Sequence, residues 1–227
     1  MTTVSGFISY SHKDRHVAAE VKRALADLGV SAFMAHDDIN VSQQWRDRIL
    51  EELRSMEIFI PLLSQNFHAS DWTAQEVGFA LARPEVLVIP VTLDGAVPLG
   101  FLNAIQAKQL PDPVTSSLFR DPIAVRFPRA VIGALIDELE NAGSYRGAEA
   151  RLRPLLPYLT VLTPAEATRI AQVSTENGQI WDAGLCRSTY LPEFIEKNRH
   201  QVPSDILVPL EFQIEHGERY EPPEAQP

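Results

Sequence analysis

A single cysteine, Cys186, stands among 227 residues, so no intrachain disulfide is possible. A lone thiol suits a reducing, cytoplasmic setting. Nothing beside Cys186 in the sequence would lower its pKa, and it reads as a small, partly buried residue rather than a nucleophile. Positive charge is scarce too: 20 Lys and Arg face 30 Asp and Glu, a formal charge of −10. No basic run is hidden in that total. Nucleic-acid affinity rests on clustered Lys and Arg, so a phosphate-backbone binder is not expected. Long apolar runs are missing as well. The longest, such as Val86 to Leu93, falls far short of the ~20 residues that span a bilayer. Met1-Thr2-Thr3-Val4 has no basic region leading into an apolar one, so no secretory signal is expected. No His, Cys, Asp or Glu spacing resembles a metal site. Asp37-Asp38 reads as a solvated turn, not a magnesium site.

What is present is ordinary globular composition, 45% apolar and 22% charged. Strand-like and helix-like segments alternate from residue 6 to about 141. Phe7 to Tyr10 is a short buried strand that stops at a polar turn. Asp14 then caps a helix with Val17, Val21, Ala24, Leu25 and Leu28 at helical spacing and Gly29 as its stop. Val30 to Met34 is the second strand, Asp37 to Gln44 a polar turn, and Trp45 to Ser55 an amphipathic helix. Ile58 to Leu63 is a buried strand ending at Ser64. Ser70 or Asp71 caps a helix to about Ala82, closed by Pro84. Val86 to Leu93 is the most apolar strand. A short helix is expected near Phe101 to Gln106, and Ile123 to Val125 is a weak last strand before a helix from Pro128 to Glu140. Alternation of this kind implies a parallel sheet with helices on both faces, a flavodoxin-like α/β sandwich.

Beyond Gly143 only helical patterns remain. Thr163-Pro164-Ala165-Glu166 is a capping box with proline at the first helical position. A further helix is expected from Thr189 to about His200 and a short apolar element near Ile206 to Ile214. The proline-rich end, Glu221 to Pro227, is too polar to pack. The expected organisation is a sheet domain over 4–141, a helical region over 145–214 and a disordered tail over 215–227. The helical region is small for an independent fold. It reads as a stabilising annex or as a surface for a partner or a second subunit.

Glu76 follows Trp72 by four positions, so both project from one face of their helix. Val77, Phe79, Ala80 and Leu81 make that neighbourhood apolar, which raises a carboxyl pKa. A lone helical glutamate is nonetheless most simply a solvated surface residue.

Several segments in order change that weight. They are Phe7-Ile8-Ser9-Tyr10-Ser11, Phe33, the turn into Trp45, Ile60-Pro61-Leu62-Leu63-Ser64, and Ser70-Asp71-Trp72 with Glu76. Together they resemble the Toll/interleukin-1 receptor (TIR) domain family, of the NAD-cleaving, bacterial-type stand-alone kind. The resemblance implies that Glu76, at the glutamate of the W-x-x-x-E turn, is the catalytic residue for cleaving the nicotinamide–ribose bond of NAD⁺. NAD⁺ is then a substrate, with no bound cofactor. It implies that Ser9, Tyr10 and Ser11 line the nucleotide pocket. Phe33 is a candidate to stack on a base or nicotinamide, with a core role equally open. Trp72 is expected chiefly to brace the helix that carries Glu76, and secondarily to touch substrate. His12 and His36 read as ordinary loop residues. The resemblance also implies self-association, with Ile39, Asn40, Val41 and Ser42 forming the assembly loop, and a separate sensor or effector partner in a defence or cell-death pathway. That loop lacks the glycine many TIR domains carry there.

The alternative is a non-enzymatic TIR adaptor, and the glutamate discriminates, since adaptors commonly lack it. A phosphoacceptor receiver domain would want acidic residues where Ser9-Tyr10-Ser11 and Ser64 stand, and is rejected. A nucleoside deoxyribosyltransferase-like enzyme remains a minor possibility.

Overall fold

The computed structural model describes residues 3–34 and 43–222. His36, Asp37, Asp38 and the expected assembly loop, Ile39, Asn40, Val41 and Ser42, lie outside the described residues, as do 223–227. The chain divides into two compact units, Met1–Val131 and Ile132–Pro227.

Among the described residues of the first unit six strands pair in parallel. They are β1 (Val4–Ser9), β2 (Val30–Met34), β3 (Ile58–Leu63), β4 (Leu87–Val88), β5 (Val91–Thr92) and β6 (Lys108–Gln109). The order is β2-β1-β3-β5-β6, with β4 also beside β3. Between them run α1 (Arg15–Ala26), α2 (Gln43–Ser55), α3 (Gln65–His68) and α4 (Asp71–Leu81), and α5 (Ser117–Arg126) follows β6. The sheet grows to one side of β1 with β2 and to the other with β3. Right-handed crossovers therefore place α1 and α2 on opposite faces. This is the flavodoxin-like doubly wound arrangement, in which ligands bind beyond the carboxyl ends of the strands.

The period-2 alternation of strands sorts the core. Ile8, Ile60 and Leu62 point to one face and are fully buried. Phe7 and Phe59 share a ladder row on the other, where Ile49, Leu53 and Met56 from the α2 segment and Ala80 from α4 close over them. Complete burial of each such side chain is worth ~1.5–3 kcal/mol.

Three expectations need correction. Val86 to Leu93 is not one strand: Pro90 has no N–H for the ladder, and the segment splits into β4 and β5. Ile123 to Val125 is not a strand but the end of α5, with Phe119, Ile123 and Ala124 buried at helical spacing. The proline inside that helix, Pro122, cannot donate to the carbonyl one turn back, at Leu118. Lys108 Nζ on β6 donates to that carbonyl instead, at 3.1 Å. The helix expected near Phe101 to Gln106 is a 3₁₀ turn at Gly100–Ala104.

The second unit is helical throughout its described residues. It holds the greater part of α6 (Pro128–Glu140), then α7 (Tyr145–Leu152), a 3₁₀ segment (Arg153–Val161), α8 (Pro164–Glu176) and α9 (Gly178–Trp181). A π turn (Cys186–Tyr190), α10 (Leu191–Asn198) and α11 (Ser204–His216) follow. The Thr163 box forms as its sequence dictates: Glu166 N–H reaches Thr163 Oγ1 and Thr163 N–H reaches Glu166 Oε2. The helix expected from Thr189 is shorter than its pattern, since the π turn occupies its start. α11 ends at Gly217, whose φ of 72° favours glycine. Arg187 closes over that end, donating to the carbonyls of Ile214 and Glu215 at 2.7 and 3.1 Å.

Candidate active site

β1 ends at Ser9, and Glu76, on α4, lies 67 residues further on in sequence. Ser70 caps α4, its hydroxyl accepting from Thr73 N–H. Thr73, Glu76 and Ala80 are the buried residues of that helix, spaced by three and four, and so turn toward the sheet. Ala80 reaches the aromatic core. Glu76, one turn earlier, reaches Ser9.

Ser9 Oγ donates to Glu76 Oε2 at 2.5 Å, and the two residues are only 0% and 4% exposed. Burial is the larger influence on this carboxyl and raises its pKa; the Ser9 hydrogen bond opposes it, and the outcome is a value near 7, up from 4.5. Glu76 thus changes charge close to neutrality. The solvated surface position that its sequence context alone suggests is overturned: the apolar neighbours bury it.

The other expected site residues are placed unevenly. Tyr10 is fully buried beside Ser9, while Ser11 is half-buried and precedes the 3₁₀ turn His12–Asp14. Phe33 is half-buried, 5.6 Å from the Phe7 ring, with the Arg48 guanidinium 6.0 Å above its own ring. Phe33 is therefore part of an aromatic row that continues from Phe7 to Phe59. Trp72 is 43% exposed, so it is not the buried brace expected of it.

Sequence reasoning missed the Ser9–Glu76 bond. Both residues were named, but no local signal couples positions so far apart. It also missed Ser64, which follows β3 and whose hydroxyl accepts from Phe67 N–H while donating to Asp14. Asp94, just past β5, accepts from the backbone N–H of Gln65 and Ala96. The Gln65 bond is the leading reason its carboxyl lies below the usual range. Among the described residues no cluster of His, Cys, Asp and Glu could hold a metal ion. Nor is any described helix long and apolar enough to cross a membrane. Cys186 is buried in the second unit, and burial, aided by Glu149, pushes its thiol up to about 12.

A parallel sheet flanked by helices, with a buried carboxyl beside the end of β1, is a flavodoxin-like α/β domain. Residues 7–117 match the family model described as TIR domain, and the chain carries a TIR domain there. TIR domains serve in signalling; they associate with themselves and with other TIR proteins, and some cleave NAD. A solved structure similar to the chain is the TIR domain of the Toll-related Receptor TRR-2 from the lower metazoan Hydra magnipapillata. It is 21% identical, covers 52% of this chain and 96% of that one, and has a TM-score of 0.42. No curated protein matches the chain.

Proposed function

We propose that the TIR unit is an NAD⁺ glycohydrolase or cyclase, with Glu76 as its catalytic residue. The observation that carries this reading is the buried Glu76 carboxyl, held at the carboxyl edge of the sheet with a pKa near 7. The reaction asks little else of the protein. Both electrons of the C1′–N bond pass to the pyridinium nitrogen, which leaves as neutral nicotinamide, so no general acid is required. Positive charge builds on the ribose as in other glycoside cleavages. A preorganised carboxylate stabilises it electrostatically, and a water-poor setting strengthens that effect. Water then adds to C1′ and sheds a proton, giving ADP-ribose, or the adenine of the same molecule adds and gives a cyclic product. The ionised form of Glu76 is the competent one, so cleavage rises with pH through about 7.

In this reading NAD⁺ is consumed as a substrate in the cytoplasm, no bound cofactor is needed, and neither nucleic acid nor membrane is a partner. The protein self-associates through its TIR unit, with the 39–42 loop at the assembly surface. A separate sensor or effector triggers it in a defence or cell-death pathway. The domain organisation is a TIR unit over 4–141 and a helical region that starts at 145 and that the last helix carries through His216, past the expected boundary at 214. The direct test is incubation of purified protein with NAD⁺, resolving nicotinamide, ADP-ribose and cyclic products by chromatography. Release of nicotinamide that Glu76→Gln lowers by ~10²–10³ supports the assignment. Wild-type turnover in a folded Glu76→Gln protein removes it.

The adaptor reading is favoured by one observation: Val97, Leu99 and Phe101 are 65%, 55% and 83% exposed in a single short stretch. Binding to other TIR proteins with no nicotinamide release at any protein concentration would select it.

A further inference from the structure

Ser9 is expected to line the nucleotide pocket, yet its side chain is already engaged. A serine hydroxyl carries one proton. That proton goes to Glu76 Oε2 at 2.5 Å, between two residues that are almost wholly excluded from solvent. Both ends of the bond are rigidly held. Ser9 is the last residue of β1, paired in register with Pro61 of β3. Glu76 is in the middle of α4, capped by Ser70 and anchored through Thr73, whose hydroxyl donates to Phe67 O at 2.7 Å.

We propose that Ser9 is the positioning residue of the Glu76 carboxyl: by donating to Oε2 it fixes the rotamer, leaves Oε1 outside this bond for the substrate, and favours the ionised form. This rests on Glu76 being the catalytic residue of the proposed reaction. Ser9 then acts through Glu76 and not on NAD⁺ itself.

Among the described residues the surrounding charges do not offer a substitute. β1, β3 and the Gly100–Ala104 turn, all packed against α4, carry no titratable side chain. α3 brings His68, and α4 itself Asp71. α2 brings Arg46, Asp47, Arg48, Glu51, Glu52 and Arg54, of which Arg48 is paired with Glu51 and Glu52. Among the described residues, burial and the Ser9 bond are what act on Glu76. Burial favours the neutral acid, and the serine is the group that opposes it.

The test is a carboxyl ¹³C NMR titration of the full chain labelled at glutamate, with the Glu76 signal identified by its loss in Glu76→Gln. Ser9→Ala and Ser9→Cys should raise the Glu76 midpoint by about one unit, a tenfold loss of carboxylate on the acid side. Ser9→Thr, which keeps the hydroxyl, should restore it. The acid limb of nicotinamide release should move upward by the same amount, with kcat falling below neutral pH and KM little changed. A Glu76 midpoint that stays put in folded Ser9→Ala and Ser9→Cys overturns the proposal, even if NAD⁺ is cleaved. A midpoint that moves in a protein releasing no nicotinamide upholds the coupling and refutes the enzymatic reading instead.

Discussion

Ser64 Oγ donates to Asp14 Oδ2 at 2.6 Å. The same hydroxyl accepts from Phe67 N–H at 3.0 Å, so one atom joins the end of β3, the start of α3 and the entry to α1. Asp14, expected to cap α1 through its side chain, makes no such bond. Its carboxylate is turned to Ser64.

Ser64→Ala should therefore cost ~1–2 kcal/mol, the usual loss for an N-cap, and not the few tenths of a surface change. Asp14→Ala should cost less by itself, because its carboxylate is only half-buried. The double mutant should be more stable than the two losses added together predict, since one bond is removed twice. Urea unfolding of the four proteins measures this; strict additivity would dissolve the link.

Glu76 makes stability depend on pH in a defined direction. Its folded pKa, about 7, lies above the unfolded 4.5. The neutral acid is thus favoured by folding. That contribution is complete below pH 4.5, is lost as pH rises through 7, and amounts to roughly 3 kcal/mol in total. Glu76→Gln should abolish the dependence, making the mutant relatively more stable than wild type at pH 8 than at pH 5. Parallel melting curves of the two proteins across that window would contradict the buried carboxyl.

Trp72→Ala should leave the fold nearly intact. A buried aromatic truncated to alanine costs ~3–5 kcal/mol, but Trp72 is 43% exposed, and a loss near 1 kcal/mol is expected. If activity falls while the melting temperature holds, Trp72 contacts substrate. A large drop in melting temperature would return it to the bracing role.

Self-association obeys mass action, so specific activity should rise with protein concentration if assembly completes the site. Ile39→Asp should weaken assembly and turnover together. Constant activity per molecule, with a monomer by light scattering throughout, would show that the unit works alone.

The long-period features of this fold were legible in the sequence. β1, β2 and β3 follow from their apolar runs, and the Thr163 box forms as written, because each is decided by neighbours in the chain. β6 was not legible: Lys108–Gln109 is two polar residues, and only the sheet edge makes them a strand. Ile123 to Val125 has strand-forming residues, yet Phe119 and Lys108 draw it into a helix that contains proline. The role of Glu76 came from a family resemblance, whereas its partner came from geometry. Trp72 is more exposed than its spacing from Glu76 suggested, because helical spacing reports a face and not how deeply each position on it is buried.

The interruption at Pro90 sets the order in which the first unit lets go of its sheet. β1 is paired on both sides from Gly6 to Ile8, whereas β4, β5 and β6 are each held over two residues. Amides of Phe7 and Ile8 should exchange with deuterium only through global unfolding. Those of Leu93 and Leu110, which bond to Leu63 and Thr92 at this thin margin, should exchange through small local openings. The unit should therefore behave as a spine with a fraying border, and Ser9, paired only with Pro61, extends that spine by one residue toward Glu76.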